Sequence, residues 1–522
     1  MVDKIYLDAY PQESTPSGQL APEVNAAINK RMDKGALIVN YVGHGGEVQL
    51  SEERILQRAD VNSWRNGPRC PLMITGTCEF SRYDDHTRTS LGEYAFLNEY
   101  GGMIAMFTTS RVTYGNYNKR FISGVYNHLF VMEQGQRRRL GDVFRMAKNH
   151  PDIHDRKYVL FGDPALRLPM PTWTVETTAI DDTIRALQPT TLEGVVRDQE
   201  GQIATDFNGL VYVSVYDKET VYHTNGDHGV SSQPFSVRNS VIFNGKTEAV
   251  NGHFSLSFTV PRDISYSFGQ GMVSYYATDY THEAAGKFED FVIGGFYEDA
   301  VLDEQAPLVQ LYIDDERFVD GGITGDSPML IAYVQDESGI NTTGTGIGHD
   351  IVATLSGPTN TSFVLNDYFV ADAGTQGKGV IRYRMQDLEA GDYTLTLKVW
   401  DIYNNSGTAS VSFRVVNSDM MEIENPLCIP NPVVDEAGFS FGHNQIGNNM
   451  DVRIRIYDFM GRMVTELHEQ VYGVSTRANP IPWNGCASNG KRLPAGIYVY
   501  VITVTNTQQE TATVSSKLII NH

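Results

Sequence analysis

Residues 37–49, LIVNYVGHGGEVQ, and residues 70–80, CPLMITGTCEF, carry the strongest fold signal in the sequence. Each contains a short, apolar, β-branched run that is typical of a strand buried on both faces of a parallel sheet. A reactive side chain follows each run after small residues: His44 after the first and Cys78 after the second. Because the carboxyl ends of the strands in an open α/β sheet share one edge, we expect His44 and Cys78 to lie at that edge.

A histidine and a cysteine at one sheet edge can act as a nucleophilic pair. A free thiol, with a pKa of about 8.5, is mostly protonated at neutral pH, and a neighbouring imidazole can take its proton. Glycines surround His44, so the backbone can approach a substrate and aim N–H groups at a developing oxyanion. We therefore predict Cys78 as nucleophile, His44 as general base and acid, and the N–H groups of Gly45 and Cys78 as oxyanion donors. An inert buried cysteine and a structural histidine stay open as alternatives.

Five segments follow one another in the first third of the chain: KIYLDAYPQ, KGALIVNYVGHGGEVQLSEERIL, PLMITGTCEFSRYDD, GGMIAMFTTSRVTY and LFGDPALRL. Their order resembles the gingipain family of cysteine peptidases, and within it the members that remove sorting signals in type IX secretion. In that family the catalytic pair is the His of a His-Gly motif and the Cys that ends the next sheet strand. These positions fall on His44 and Cys78. The resemblance implies a caspase-like α/β fold with a mostly parallel sheet over residues 1–170.

One part of the family pattern has no match in this sequence. Gingipains carry an acidic residue, well upstream of the histidine, that orients the imidazole, and here only 43 residues precede His44. We expect that this residue lies upstream of Met1, together with any export signal, and that the chain is a fragment. Glu47 and Glu79 are candidate substitutes inside the chain, but nothing in the spacing selects either, and both also fit local surface or capping carboxylates.

Length and charge limit the possible functions. A chain of 522 residues is too long for one hydrophobic core and is expected to hold about three to five domains. The net charge of −22 argues against nucleic acid and anionic lipid as main partners. The sequence contains no run of 18 apolar residues, and its start, Met-Val-Asp-Lys, does not resemble a signal peptide.

The four cysteines allow three complete pairings. Cys70 and Cys78 flank a predicted strand whose ends are about 26 Å apart, far beyond the roughly 7 Å that a disulfide spans. That pair is excluded if the strand forms. Cys428 and Cys486 lie in one C-terminal module, where they can bond in an oxidising compartment or stay reduced.

Local signals predict alternating helices and strands in the amino-terminal segment. A helix is expected to begin at Pro22 and stop at Gly35, a second to span residues 51–58 with Ser51 as its cap, and a third to start at Ser90. Strands separate these helices. This order favours a parallel sheet with right-handed crossovers.

The third predicted strand, Met103 to Thr108, ends in a polar loop. By the same sheet-edge argument, Thr109, Ser110, Arg111 and Tyr114 are expected to line the substrate cleft. In gingipains the corresponding loop helps to build the pocket for the residue before the cut bond. Arg111 suits a substrate carboxylate, and a solvated surface arginine is the alternative.

The acidic residues Glu79, Asp84 and Asp85 offer hard oxygen ligands that calcium prefers. Their spacing matches no calcium-loop pattern, so a polar loop is the favoured interpretation. We predict no metal site and no cofactor.

After Pro171 the apolar residues alternate with period two, as in strands with one buried face. The motifs VRIRIYDFMGRMV, PWNG and LPAGIYVYVITV near the C-terminus resemble the sorting domain of type IX secretion cargo, although a free-standing immunoglobulin-like module would alternate in the same way. The predicted fold is multidomain, with an α/β domain followed by β-sandwiches. The predicted domains are an N-terminally incomplete peptidase domain at 1–170, a β-sandwich at 171–305, an immunoglobulin-like sandwich at 306–418 and a sorting-like module at 419–522.

The resemblance implies a cysteine endopeptidase and transpeptidase on the extracellular side of the outer membrane. It would remove C-terminal sorting domains from secreted cargo and transfer the acyl group to a lipopolysaccharide amine, with the outer-membrane barrel protein PorV and other attachment-complex proteins as partners. A thioester on Cys78 suits both outcomes, since water or an amine resolves it. Two alternatives stay open: a general secreted endopeptidase, and a catalytically inert surface protein. The sequence leaves cleavage specificity, the acceptor amine and the oligomeric state open.

Overall fold

The computed structural model describes residues 2–16, 18–133, 135–149, 152–226, 229–343, 348–373, 377–417 and 420–521. The chain divides into two compact units. The first unit comprises Val2–Met170 and Thr220–Arg238, and the second comprises Pro171–Glu219 and Asn239–His522. Among the described residues, no helix combines the length and the apolarity that crossing a bilayer requires.

The amino-terminal segment contains five α-helices and ten short strands among its described residues. The helices are α1 (Pro22–Lys34), α2 (Arg58–Ser63), α3 (Leu91–Leu97), α4 (Gly115–Leu129) and α5 (Leu140–Ala147). The strands are β1 (Glu13–Thr15), β2 (Gly18–Leu20), β3 (Ile38–Val42), β4 (Gln49–Leu50), β5 (Leu56–Gln57), β6 (Leu72–Gly76), β7 (Ala105–Thr109), β8 (Met132–Glu133), β9 (Gln136–Arg137) and β10 (Tyr158–Phe161).

A four-stranded sheet with the order β10-β7-β6-β3 forms the centre of this segment. β3, β6 and β7 are parallel, and β10 is antiparallel to β7. Met73 and Met106 pack into a core with residues of α1, α2 and α3, whereas Ile74 and Phe107 pack into a second core with residues of α4 and α5. The prediction of a mostly parallel sheet is confirmed. β6 and β7 are buried throughout, which explains their apolar runs, whereas the edge strand β3 is buried only in part, contrary to the expectation of burial on both faces.

The helix signals at Pro22 and at Ser90 were right. α1 starts at Pro22 and is followed by Gly35 at φ +93, and α3 starts after Ser90, which forms a capping box with Glu93.

The helix expected over residues 51–58 is wrong. Ser51 adopts a φ of +63, and the chain turns back so that β5 pairs with β4. Leu50 and Leu56 are each only 2% exposed in this hairpin, so their burial in the core overrides the local helix signal. The helix α2 begins only at Arg58.

The next part of the chain is built of strands. They are β11 (Trp173–Ala179), β12 (Thr183–Ala186), β13 (Pro189–Arg197), β14 (Gly209–Tyr216), β15 (Thr220–His223), β16 (Pro234–Val237), β17 (Val241–Val250), β18 (His253–Thr259), β19 (Gly269–Gln270), β20 (Met272–Thr278), β21 (Glu283–Phe288) and β22 (Val292–Phe296).

Seven of these strands form a closed barrel in the order β11-β13-β18-β17-β14-β20-β21. The barrel closes because β11 also pairs with β21 in parallel, with Trp173 opposite Ala284. The sequence predicted a β-sandwich of antiparallel strands here. The alternation of apolar residues identifies the buried face of each strand, but it does not specify which edge strands meet, so the closure was not predictable.

β15 and β16 form an extra hairpin that groups with the first unit. The backbone N–H and the side-chain amide of Asn225 each donate to the carboxylate of Asp8 at 3.2 Å. The ring of Phe235 meets that of Tyr6 edge-on, with 5.3 Å between the centroids. These contacts attach the extra hairpin to the segment that precedes α1.

The strands of the third part are β23 (Leu308–Ile313), β24 (Ile323–Thr324), β25 (Met329–Gln335), β26 (Val352–Ser356), β27 (Thr361–Val364), β28 (Phe369–Ala371), β29 (Lys378–Arg384), β30 (Gly391–Trp400) and β31 (Ser406–Val415). They form one sheet with the order β23-β25-β29-β28 and another with the order β24-β31-β30-β26-β27. Both sheets contribute to one hydrophobic core, as expected of a sandwich. The immunoglobulin-like topology stays a prediction.

The C-terminal part has the same construction on a smaller scale. Its strands are β32 (Ile423–Ile429), β33 (Ala437–His443), β34 (Asn449–Tyr457), β35 (Met463–Tyr472), β36 (Ile481–Trp483), β37 (Gly496–Thr505) and β38 (Thr511–Ile520). Sheets β32-β33-β36 and β35-β34-β37-β38 enclose a single core. Cys428 and Cys486 are free thiols, as are Cys70 and Cys78, and burial raises the pKa of Cys428 to about 11. The multidomain, strand-rich prediction is therefore confirmed, while the domain limits stay predictions.

Candidate active site

The sheet register places His44 and Cys78 at equivalent points. β3 and β6 run parallel, with Val42 opposite Gly76 at their carboxyl ends. His44 and Cys78 each follow this last pair by two residues. The N–H of Gly43 donates to the carbonyl of Gly76 at 3.4 Å, which keeps the two chains together beyond the strands.

The loops that hold His44 and Cys78 touch each other. A Cβ atom placed on Gly45 would lie 2.7 Å from Oγ1 of Thr77 and 2.9 Å from Cδ2 of Leu50. Gly45 follows His44 and Thr77 precedes Cys78, so the backbone on one side of the site packs against the side chain on the other. This close approach explains why a glycine follows the histidine.

The backbone of the histidine loop is fixed, while His44 itself is exposed. The carbonyl of His44 accepts hydrogen bonds from the N–H of Ser51 at 2.8 Å and from the hydroxyl of Tyr41 at 2.5 Å. Burial raises the pKa of Tyr41 above its ordinary value, so the phenol stays protonated and able to donate. Two hydrogen bonds to its carbonyl therefore hold the backbone of His44, while its side chain is open to solvent at the sheet edge.

The sulfur of Cys78 is half-buried and contacts a third loop. The N–H of Thr113 donates to Sγ at 3.4 Å, and Sγ lies 3.4 Å from the carbonyl of Thr113, to which the thiol can donate. Thr113 belongs to the loop between β7 and α4. Loops that follow β3, β6 and β7 thus meet around the candidate nucleophile, as expected of the carboxyl edge of a parallel sheet.

Buried hydroxyl groups support the cysteine loop from inside the protein. The hydroxyl of Thr109 donates to the carbonyl of Thr77 at 2.7 Å. The hydroxyl of Thr113 lies 2.8 Å from Oδ1 of Asn118, which also accepts from the hydroxyl of Tyr158 at 2.6 Å. Sequence reasoning missed these supporting roles. The detectable signal was Asn118, a polar residue on the buried stripe of α4.

The structure separates the four predicted substrate residues. Thr109 is fully buried and Ser110 is 8% exposed. The reason is that β7 runs one residue further than expected and pairs Thr109 with Tyr158. Thr109 therefore lies under the cysteine loop and has no surface that faces a cleft.

Arg111 and Tyr114 lie at the surface. Arg111 donates to both oxygens of the Asp84 carboxylate, at 2.9 and 2.6 Å, and this bidentate pair holds the pKa of Asp84 below its usual value. The guanidinium is already paired, which favours the surface role over a substrate carboxylate. Tyr114 is 60% exposed, and its ring meets His154 edge-on. A substrate-contacting role for these two residues stays a prediction.

The acidic residues near the site face arginines and turn groups. Glu47 accepts from Arg82 at 2.9 Å and lies 3.7 Å from Arg88, and Glu79 lies 3.8 Å from Arg82. Asp85 accepts from the N–H and hydroxyl of Thr87. Both carboxylates that were candidates for orienting His44, Glu47 and Glu79, thus lie beside arginines, and an orienting role for either stays a prediction.

The neighbouring N–H groups at the two loops have protein partners. Gly46 donates to the carbonyl of Gln49 at 3.0 Å, and Glu79 donates to the carbonyl of Arg111 at 3.4 Å. The oxyanion role of the N–H groups of Gly45 and Cys78 stays a prediction.

Comparison with known proteins gives a family match for the amino-terminal segment. Residues 1–169 match the model of peptidase family C25. No curated protein matches the sequence. Among solved structures, dimeric latent PorU from Porphyromonas gingivalis is 29% identical, with a TM-score of 0.32, over 80% of this chain and 41% of that one.

Two gingipain structures match with lower identity. The complex of the pro- and mature domains of RgpB from Porphyromonas gingivalis is 15% identical over 50% of this chain and 57% of that one, with a TM-score of 0.26. The Arg-specific cysteine proteinase gingipain R is 14% identical over 52% and 55%, also with a TM-score of 0.26. The chain spans from two fifths to somewhat more than half of the length of these proteins.

Proposed function

We propose that the peptidase family C25 segment at residues 1–169 acts as a cysteine peptidase, with Cys78 as nucleophile and His44 as general base and acid. The main supporting observation is the contact between Gly45 and Thr77, because it brings together the two loops that carry these side chains. The matched register of Val42 and Gly76 supports the same pairing.

In this mechanism the proton of the Cys78 thiol passes to the imidazole of His44, and the sulfur attacks the carbonyl carbon of the scissile peptide bond. The N–H groups of Gly45 and Cys78 donate to the oxyanion of the tetrahedral intermediate. His44 then gives its proton to the leaving amine, and a thioester on Cys78 is left. A water molecule or an amine, deprotonated by His44, attacks the thioester, and the thiol is regenerated.

The proposed substrates are secreted proteins with C-terminal sorting domains, cleaved at the cell surface on the outer-membrane side. Transfer to a lipopolysaccharide amine, association with PorV and association with other attachment-complex proteins belong to the same proposal. Support comes from the five segments that resemble sorting-signal peptidases. The likeness of residues 419–522 to a sorting domain is consistent with export of this chain by type IX secretion as well.

The proposal is tested with the full chain and two kinds of substrate. One is a mixed peptide library, and the other is a reporter protein fused to a sorting-like module with the sequence of residues 419–522. We expect cleavage at the reporter junction, lost in Cys78→Ala and in His44→Ala. Cys70→Ala is the matched control, because this free thiol donates to the carbonyl of Gly67 and lies at the opposite end of β6.

The outcomes separate the candidate functions. Cleavage of the library without cleavage of the fusion would indicate a general endopeptidase. No cleavage of either substrate, or cleavage that survives Cys78→Ala, would contradict the proposed mechanism.

A further inference from the structure

The sulfur of Cys78 contacts both backbone polar groups of one residue, Thr113. In the thiol form, S–H donates to the carbonyl while the N–H donates to the sulfur. Once the proton has left, only the N–H contact is favourable, and it becomes a charge-assisted hydrogen bond. The position of the Thr113 backbone therefore affects the reactive thiolate more than the resting thiol.

The side chain of Thr113 is anchored inside the protein. Its hydroxyl has one proton and two acceptors within reach, Oδ1 of Asn118 at 2.8 Å and the carbonyl of Thr77 at 3.2 Å. The shorter contact selects Asn118 as the main acceptor. Oδ1 of Asn118 also accepts from the hydroxyl of Tyr158, so one amide oxygen holds two hydroxyl groups.

All three side chains are at least nine-tenths buried. Thr113 is 4% exposed, Asn118 is 6% exposed and Tyr158 is 1% exposed. Because water cannot replace a lost partner at such positions, each member depends on the others. The network thus fixes the geometry of Thr113 more firmly than an exposed loop contact would.

Asn118 lies on a stripe of α4 that is otherwise apolar, with Phe121, Val125 and Leu129 as its other buried members. The stripe packs against the end of β6: a Cβ on Gly76 would lie 3.3 Å from Cβ of Asn118. The ring of Phe121 stacks on that of Tyr158 with 3.9 Å between centroids. The side chain of Asn118 is therefore packed against Gly76, which lies two residues before Cys78 in the chain.

We propose that Asn118 is a positioning residue for the Cys78 sulfur, which it serves by holding Thr113 so that the Thr113 N–H points at the thiolate. This inference rests on the proposed role of Cys78 as nucleophile. The N–H of Thr113 is the donor to the sulfur. Asn118 holds Thr113 through the Thr113 hydroxyl, and the hydroxyl of Tyr158 holds the amide oxygen of Asn118.

Several charged groups surround this network. Burial, with smaller contributions from Asp155 and from Cys78, raises the pKa of Tyr158 above its ordinary value, so its phenol stays neutral and keeps its donor. Asp155 is paired with Arg120 at 2.8 Å. Lys157 donates to the carbonyl of Val112, next to Thr113, at 2.7 Å.

The loops at the site also carry ionisable groups: Glu79 follows Cys78 in the chain and lies 3.8 Å from Arg82, and the exposed His44 lies in the loop that packs against Thr77. The test variants below change none of these ionisable groups except Tyr158.

The test measures the alkylation rate of Cys78 by iodoacetamide as a function of pH, with the modified peptide identified by mass spectrometry. The full chain is compared with Thr113→Val, which keeps shape and backbone but removes the hydroxyl. We expect the pH midpoint of alkylation to rise by about one pH unit, a tenfold loss of thiolate below the midpoint. kcat for the reporter substrate should fall about tenfold, with little change in KM.

Thr113→Ser keeps the hydroxyl and should restore the wild-type profile. Tyr158→Phe removes a single oxygen and should also raise the pH midpoint of alkylation, by less than Thr113→Val does. This second variant keeps the test usable if Thr113→Val does not fold. Thr108→Val is the matched control, because this hydroxyl is also buried and lies nearby in β7 but bonds to Thr75 and Ser81.

An alkylation profile unchanged in both Thr113→Val and Tyr158→Phe would overturn the inference, even if peptide cleavage is normal. A shifted profile in a chain that cleaves no peptide would instead support the positioning network and contradict the proposed peptidase activity. The two proposals therefore fail separately.

Discussion

Replacing Gly45 by alanine adds one methyl group where the histidine loop and the cysteine loop meet. That carbon would lie 2.7 Å from Oγ1 of Thr77, 2.9 Å from Cδ2 of Leu50 and 3.3 Å from the carbonyl oxygen of Gln49. Carbon atoms normally approach each other to about 3.5–4.0 Å. The histidine loop or the cysteine loop must therefore move by roughly 0.5–1 Å.

Neither neighbour can yield easily, because Thr77 is 1% exposed and Leu50 is 2% exposed. The φ of Gly45 lies outside the left-handed region, so the effect is steric and not conformational. Overpacking of this kind costs about 1–3 kcal/mol, which a folded chain usually tolerates. A misplacement of about 1 Å between reacting groups costs on the order of 100-fold in rate. We expect Gly45→Ala to fold and to lose about 100-fold in kcat/KM.

Gly46→Ala is the matched control, since a Cβ at that position meets nothing within 4 Å. Cleavage of the reporter fusion gives the rates, and a thermal unfolding scan shows whether each variant is folded. If Gly45→Ala is folded and as active as Gly46→Ala, the packing of the two loops does not position Cys78 and His44.

Two further predictions concern other parts of the chain. Burial, with the neighbouring carboxylates of Asp401 and Asp303, raises the pKa of Asp336 from 3.8 to about 6. The contribution of the protonated carboxyl to the free energy of unfolding is therefore complete below pH 3.8 and is lost as the pH rises through about 6. Urea unfolding in the presence of a chelator should show that Asp336→Asn stabilises the chain more at pH 8 than at pH 4.5, and an equal effect at both pH values would contradict this. Asp8→Ala removes the acceptor of both Asn225 hydrogen bonds and should speed amide hydrogen exchange in the extra hairpin, while the barrel strands keep their protection. Unchanged exchange in the extra hairpin would show that the Asp8 contact does not hold it.

Local sequence patterns were sufficient for the sheet that carries the site. The apolar runs before His44 and Cys78 form parallel neighbours, and Pro22 and Gly35 mark the ends of α1. These features depend on hydrophobic pattern and backbone chemistry within a few residues, which a sequence displays directly.

Features that depend on distant contacts were not predictable. The 51–58 segment forms a turn and a strand because Leu50 and Leu56 are buried together in the core. The support of Cys78 by Thr113, Asn118 and Tyr158 joins residues that are far apart in the chain. Thr109 was expected at the cleft, but the extra strand residue turns it into the interior.

Trapping the acyl-enzyme shows whether Cys78 and His44 perform acyl transfer together. The full chain is mixed with the reporter fusion, quenched in acid within the first turnover and digested for mass spectrometry. We expect an acyl group on the Cys78 peptide as a thioester, and none in His44→Ala at the same time. An acyl group on another residue, or equal acylation of Cys78 without His44, would contradict this expectation.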